Sequence, residues 1–216
     1  WFLARLKAHV LLAVQGQVKQ AALGVLTKQK NIMGFKIITP PAALLTLAEL
    51  HLHLRIDDNA IEDTLLLATL EAARDYAQHY TSRAIGVQTI ELALDAFPKG
   101  GIDMPLTPVN AVASVKYIDV HYVEQTLPLT AYMLDDYGTN HWLLPAANSV
   151  WPNTAPVANS VKVNYTAGSL PASVRAGMLL MIGHLYENRE NLFGKQEFEF
   201  PIGVHALLDT AKAWRI

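Results

Sequence analysis

Prolines divide this chain into parts that can and cannot be helical. Seven of the 11 prolines lie between residues 98 and 156, and a proline inside a helix removes a hydrogen bond and clashes with the preceding turn. Just before this stretch, the apolar residues Ile90, Leu92 and Leu94 alternate with other residues, which is typical of a half-buried strand. The middle of the chain is therefore predicted to form short strands rather than helices.

Four further segments of the middle carry strand-like patterns. They lie at 112–119, around 132–134, at 142–144 and at 161–165, and proline, glycine or polar turn residues separate them. A small antiparallel sheet or sandwich would accommodate such a set of short strands between two helical parts.

Capping residues mark where the helices before this middle begin. Thr46 and Glu49 are three residues apart, the spacing of a capping box, which predicts a short helix through about residue 54. The Asp-Asp-Asn run at 57–59 then supplies capping oxygens and negative charge at the start of a longer helix over about 60–81.

The longer helix has a repeating apolar pattern that predicts its buried side. Apolar and aromatic residues recur every three or four positions along it, and Leu66 and Leu70 widen the resulting stripe. The stripe predicted to be buried consists of Ile61, Leu65, Ala68, Ala72, Tyr76 and Tyr80.

Two more helices are predicted after the strands. Pro171 suits the first turn of a helix over about 171–189, and Pro201 opens a last helix. The predicted fold class is therefore α+β: a bundle of about four helices with a small antiparallel β lobe inserted between the second and third main helices. The bundle is assigned to residues 33–86 and 167–216, and the β lobe to residues 87–166.

The first 32 residues differ from the rest of the chain in charge. They carry five cations and no acid, and the remaining 12 Lys and Arg against 19 Asp and Glu give the rest a net charge of −7. We interpret this basic extension as sequence upstream of the protein's own start, which would be Met33. An accessory helix and a targeting segment are the alternatives. A chain that begins at Met33 is therefore expected to fold and assemble like the longer one.

Composition excludes several kinds of chemistry. The chain has no cysteine, so disulfides, thiolate nucleophiles and cysteine-based zinc sites are excluded. Its acidic body argues against tight binding to a phosphate backbone, which needs clustered Lys and Arg, although DNA could still pass such a surface. The sequence also lacks a phosphate-cradling glycine loop, a nucleophile elbow and a zinc-protease helix pattern.

The segment GHLYENRE, at residues 183–190, is the strongest candidate for a catalytic or metal site. His184 and Glu187 are three residues apart and would share one helix face, as two metal ligands can. Metal sites in helical bundles draw ligands from several helices, however, and no second matching pair occurs in the sequence. We therefore interpret the segment as a helix end at which Arg189 complements the helix dipole, and expect no enzyme activity, metal or cofactor.

Other polar pairs also have structural explanations. His51 and His53 are two residues apart on a short helix, so they are predicted to point to different faces. The acid pair at 57–58 precedes a helix, and the pair at 135–136 precedes a Tyr-Gly turn, where Asp side chains accept backbone hydrogen bonds.

The order of segments along the chain resembles one protein family. The segments are LAELHLHLRID from residue 47, IEDTLLLATLEAARDYAQHYTSRAIGVQT from 61, MPLTPVNAVASVKYID from 104 and VKVNYTAGSLPASVRAGMLLMIGHLYENRE from 161. Together they resemble the head-to-tail connector (adaptor) family of long-tailed double-stranded-DNA bacteriophages, in the long form that has strands inserted between its helices.

This resemblance implies a structural protein of the virion rather than an enzyme. Family members assemble as a ring, commonly a dodecamer on the portal, that extends the portal channel and joins head to tail. The implied partners are further copies of the chain, the portal protein and a tail-side neck protein. Phage DNA would pass through without sequence-specific binding, and no membrane partner is implied. The implied location is the virion neck, with assembly in the bacterial host cytoplasm.

The C-terminal segment from about residue 195 is predicted to contact the portal. Acidic and aromatic residues alternate before Pro201, and the helix that follows is more apolar than a short solvated helix needs to be. The resemblance implies C-terminal segments that become ordered on docking, and the alternative is that these residues close the bundle. The candidate portal or oligomer contacts are Phe198, Phe200, Leu207, Leu208 and Trp214.

Two other functions remain open from the sequence. One is that of another phage neck or structural interaction protein, which the neighbouring genes would distinguish from a connector. The other is that of a metal-dependent enzyme using His184 and Glu187, which a bound metal would identify.

Overall fold

Four helices and eight strands form the part of the chain that the computed structural model describes, namely residues 33–57, 60–188 and 201–213. The helices are α1 (Leu47–Leu54), α2 (Ala60–Thr81), α3 (Ala172–Glu187) and α4 (Ile202–Asp209). The strands are β1 (Met33–Thr39), β2 (Gln88–Leu94), β3 (Ile102–Met104), β4 (Val109–Ile118), β5 (Glu124–Leu127), β6 (Tyr132–Asp135), β7 (His141–Pro145) and β8 (Val161–Ala167). The α+β class predicted from the sequence is confirmed.

Helix α1 begins and ends as its sequence predicts. The Thr46 side chain accepts a hydrogen bond from the Glu49 amide (3.2 Å), and the Glu49 carboxylate accepts one from the Thr46 amide (2.8 Å). At the other end Arg55 adopts a left-handed conformation (φ 56°), and its N–H donates to the His51 carbonyl. The capping role assigned to Asp58 and Asn59 falls outside the described residues.

The helices share a buried apolar cluster, but α2 contributes a different side from the predicted one. The residues of α2 in the cluster are Leu66, Leu70, Ala73 and Ala77. Tyr76 and Tyr80 pack only at its margin, while Leu65, Ala68 and Ala72 are exposed. The Ile61 side chain lies outside the described residues. The predicted stripe is therefore wrong at its centre, because α2 is apolar on two sides and periodicity alone does not tell which side meets the other helices.

The strands form two antiparallel sheets that share a second apolar cluster. The larger sheet has the order β1-β2-β8-β4-β5, and the smaller has the order β3-β7-β6. Along β2 and β8, buried residues alternate with half-buried ones, so one face of the larger sheet packs into this cluster.

Strand β1 lies before the helices in the chain, and the sequence analysis did not predict this strand. It pairs antiparallel with β2, with Phe35 opposite Leu92 and Ile37 opposite Ile90. The strands therefore do not all lie between the second and third helices, because the edge of the larger sheet comes from residues assigned to the helical part. Every residue of β1 is exposed. Met33, Phe35 and Ile37 nevertheless alternate with Gly34 and Lys36, a short strand signal that the sequence analysis did not use.

Leu66 and Leu65 provide a matched pair that tests which side of α2 is buried. Leu66→Ala is expected to lower the free energy of unfolding by roughly 2–5 kcal/mol, because it opens a cavity among fully buried neighbours. Leu65 is 43% exposed, so Leu65→Ala should change it by about 0.5 kcal/mol or less. Denaturant unfolding of both variants measures the difference, and equal losses would contradict the assignment.

Candidate functional surfaces

The polar end of α3 is built to join helices. The Tyr186 hydroxyl donates to a carboxylate oxygen of Glu62 (2.8 Å), which ties α3 to the first turn of α2. The Asn188 side chain donates to the His184 carbonyl (2.8 Å) and lies 3.3 Å from His184 Nδ1. Glu187 is exposed, and Arg189 lies outside the described residues. These contacts fit the interpretation of GHLYENRE as a structural helix end.

The other polar pairs take structural positions as well. His51 is buried, with Nε2 2.8 Å from Asp63 Oδ1, whereas His53 is exposed. Asp135 accepts a hydrogen bond from the Tyr137 amide (3.3 Å) in the turn that follows β6. Within the described residues, no group of three or more His, Cys, Asp or Glu side chains is placed to hold a metal ion.

Glu49 links two helices through charge. Its carboxylate accepts from the Thr46 amide and forms an ion pair with Arg175 of α3. These contacts, first of all the Thr46 amide, lower the pKa of Glu49 below its usual value. The N-terminus of α1 is thereby tied to the start of α3.

A buried histidine supports the turn that leads into β4. His141 Nδ1 accepts a hydrogen bond from the Val109 amide (3.2 Å), so this nitrogen carries no proton in the fold. Burial lowers the pKa of His141, with a smaller contribution from Arg83, while Asp136 and Asp135 oppose the shift. Protonation of Nδ1 would replace this acceptor with a donor facing an amide N–H.

The outer face of the larger sheet is polar and concave. A cavity of about 540 Å³ lies over it. Four of its charged residues form ion pairs across neighbouring strands, Lys36 with Glu91 (2.7 Å) and Lys116 with Glu124 (3.0 Å), and Lys162 also lines the cavity. The Lys116 ammonium lowers the pKa of Glu124. Opposite charges on this face therefore largely neutralise each other.

A second groove of about 580 Å³ runs beside β1. Its apolar wall includes Met33 and Phe35, and its polar wall includes His79 near the end of α2. Phe35 is 48% exposed although it points to the same face of the sheet as the buried Leu92. Sequence reasoning missed this surface because it missed β1.

The hairpin between β4 and β5 exposes apolar side chains on a fixed turn. One Asp119 oxygen accepts backbone hydrogen bonds from His121 (2.8 Å) and Val123 (3.0 Å). These bonds, with the Val123 amide first, lower the pKa of Asp119. Tyr122, at the tip, is 67% exposed. The sequence signal for this turn was an Asp before an apolar run, which the sequence analysis did not use.

The C-terminal candidates take different positions in the structure. Leu208 is fully buried in the helical cluster, where a Cβ added at Gly177 would lie 3.3 Å from its side chain. Leu207 is half-buried. Phe198, Phe200 and Trp214 lie outside the described residues.

Polar contacts hold α4 and the residues after it against α2. The Tyr80 hydroxyl donates to Asp209 (2.7 Å), and the Ala213 amide donates to the Thr81 carbonyl (2.8 Å). For Leu208, this packing favours the alternative that the last helix closes the bundle. In the described part of the chain, no helix is both long and apolar enough to cross a membrane.

A comparison with protein-family models finds a match over part of the chain. The model of the phage gp6-like head-tail connector proteins matches residues 44–127. This segment runs from just before α1 to the end of β5, and over these residues the match agrees with the family resemblance found in the sequence. A comparison with curated protein sequences finds no match.

Three solved structures share the fold. A chain in the neck of an empty gene transfer agent (GTA) particle, computed with C6 symmetry, has a TM-score of 0.70 over 85% of this chain and 97% of its own. A chain in the virion of a native GTA particle has a TM-score of 0.68, covering 84% and 96% respectively. A chain in the neck of a native GTA particle, computed with C12 symmetry, has a TM-score of 0.64, covering 84% and 97%. Each is 24% identical in sequence to this chain.

His141 should make the fold sensitive to mild acid. Its pKa in the fold lies below the usual value of about 6.5, so the unfolded chain takes up the proton first as the pH falls. Stability is therefore complete above about pH 6.5 and decreases below it, by at most about 1.4 kcal/mol per pH unit for one proton. His141→Asn keeps an acceptor without a titrating ring and should flatten the dependence of unfolding free energy on pH between 6.5 and 5. His121→Asn, at the exposed hairpin tip, is the control, and an unchanged slope in His141→Asn would refute this role.

The end of α3 should bind no metal. Protein purified without chelators is expected to contain no stoichiometric transition metal by elemental analysis, because His184 and Glu187 belong to a structural helix end. His184→Gln should assemble like the unmodified chain. One metal ion per chain, lost in that variant, would reverse the interpretation.

Proposed function

We propose that this chain, whose residues 44–127 match the model of the phage gp6-like head-tail connector proteins, is a structural virion protein that joins head to tail. The family match carries this proposal, because it covers helices and strands together rather than one short motif. The fold shared with chains of GTA particles and necks, over more than four-fifths of this chain, supports it.

We infer a ring as the working form. A chain of the same fold occurs in a particle neck computed with C12 symmetry, which supports a dodecameric ring for this chain. In a connector of this family, the ring docks on the portal protein on one side and receives a tail-side neck protein on the other. The ring would therefore lie in the virion neck and assemble in the bacterial host cytoplasm.

The charge of the chain suits a channel for DNA. Outside the basic first 32 residues the net charge is −7, and negative charge along a channel repels the phosphate backbone, so that DNA slides without adhering. No sequence-specific contact with DNA is needed for this role.

The portal contact is proposed for the residues on either side of α4. Leu208 packs in the helical core and Asp209 bonds to Tyr80, so α4 serves as a fixed base. The aromatic residues Phe198, Phe200 and Trp214, with the half-buried Leu207, then supply the apolar anchors that a docking segment needs.

Electron microscopy of the purified chain with the portal protein of the same genome tests this function. A ring of twelve copies on the portal is expected. Phe198→Ala combined with Phe200→Ala should weaken portal binding and leave the melting temperature unchanged. Tyr137→Ala, which removes a fully exposed aromatic side chain elsewhere, should alter neither property. A chain that stays monomeric and unbound in the presence of portal would refute the connector function.

A further inference from the structure

Helix α2 carries a second apolar stripe that is exposed in the described part of the chain. Leu65, Ala68 and Ala72 are spaced by three and four residues, so they lie along one face of the helix. All three are exposed, Leu65 by 43%. We call this set the outer stripe. The other side of α2, with Leu66 and Leu70, already fills the core, so the outer stripe is available for another contact.

The edge formed by α3 and α4 carries an apolar patch that differs from the outer stripe. Leu180 of α3 is 43% exposed and Ile202, at the start of α4, is 87% exposed. A Cβ added at Gly203 would lie 3.9 Å from the Leu180 side chain, so the patch continues from one helix to the other. We call Leu180, Ile202 and Gly203 the α3–α4 patch.

The charges around the two surfaces differ. Glu71 and Asp75 are exposed on α2 beside the outer stripe, and Asp75 forms an ion pair with Arg74 (2.7 Å). On α3, Arg175 is the charged residue before His184, and no acid occurs before Glu187. Pairing two copies of α2 would bring the Glu71 carboxylates of both copies near each other, whereas α3 carries no acid before Glu187. Charge therefore favours contact between unlike surfaces.

Contact between unlike surfaces is what a closed ring requires. A two-fold dimer uses the same patch on both copies, while a ring with more than two members joins two different patches of each subunit head to tail. This chain presents both an outer stripe and an α3–α4 patch, on different helices of one bundle.

We propose that the outer stripe of one copy packs against the α3–α4 patch of the next copy in the ring. This inference rests on the proposed connector function. Ala68 and Ala72 are small and leave a shallow surface on α2, into which the Leu180 and Ile202 side chains of the neighbour insert. With this contact, α2 is buried on two sides in the assembly, which matches the apolar residues on both of those sides.

Charge insertion tests the outer stripe. Ala72→Glu should raise the protein concentration needed for ring assembly at least about tenfold, because it buries an unpaired carboxylate at the contact. The melting temperature of the monomer should not change, since Ala72 is exposed. Ala48→Glu makes the same substitution at an exposed alanine of α1 and should assemble normally. Ile202→Glu should reproduce the defect from the other surface.

Cross-linking tests the pairing itself. The natural chain has no cysteine, so thiols can be introduced singly as Ala72→Cys and as Ile202→Cys. After assembly, a short bismaleimide should join the two variants into dimers when they are mixed, and should join neither variant to itself. Ala48→Cys mixed with Ile202→Cys is the control and should give no dimer.

The outcomes separate this inference from the function on which it rests. Rings that form normally with Ala72→Glu, or that give no mixed cross-link, would overturn the inferred surface and leave the connector function intact. Cross-linking of Ala72→Cys to itself would show a two-fold contact and also overturn it. A chain that forms no ring alone or with portal would remove the proposed function as well.

Discussion

The antiparallel pairing of β2 with β8 is the constraint on which the helical bundle depends. Strand β2 follows α2 and β8 precedes α3, and their register places Gln88 opposite Ala167. The Gly86 amide donates to the Ser169 carbonyl (3.1 Å), which continues this contact toward the helices. Gly168 has φ 126°, and any Cβ there would collide with the Gly86 carbonyl, so a glycine is required at this crossing. Two helices separated by residues 82–171 thus become neighbours.

Once the ends of α2 and α3 are held together, side chains fix how the helices pack. The Glu49–Arg175 ion pair joins α1 to α3, and the Tyr186–Glu62 hydrogen bond joins α3 to α2. The fully buried Leu66 and Met181 belong to the core between them. The strands have a separate apolar cluster, so the sheets can hold the helices in place without contributing to their core. Such an arrangement suits a ring subunit, whose contacts must keep a fixed geometry from copy to copy.

Much of this architecture follows from local sequence signals. The features that were not predicted depend on contacts between residues far apart in the chain. The bounds of α1 follow from the Thr46–Glu49 capping box, whose hydrogen bonds lie within one turn. Strands β2 and β8 follow from alternation, because one of their faces is buried. Strand β1 was missed although Phe35 and Ile37 flank Lys36 in a short alternation, because its place in the sheet is set by pairing with the distant β2. The buried side of α2 was misassigned because the choice between Leu65 and Leu66 depends on where α3 packs.

The surfaces of the chain were harder to predict than its core. Leu208 was proposed as a partner contact because a short terminal helix rarely needs so much apolar surface, yet the chain uses that surface internally, against Gly177. In contrast, the stripe at Leu65, Ala68 and Ala72 was assigned to the core and lies outside it. The two cases have one physical origin: apolar periodicity reports that a helix face is buried, but not whether the same chain or another copy buries it. The error at α2 therefore bears on the proposed ring, because an apolar helix face that is exposed in one chain is where we propose that the neighbouring chain packs.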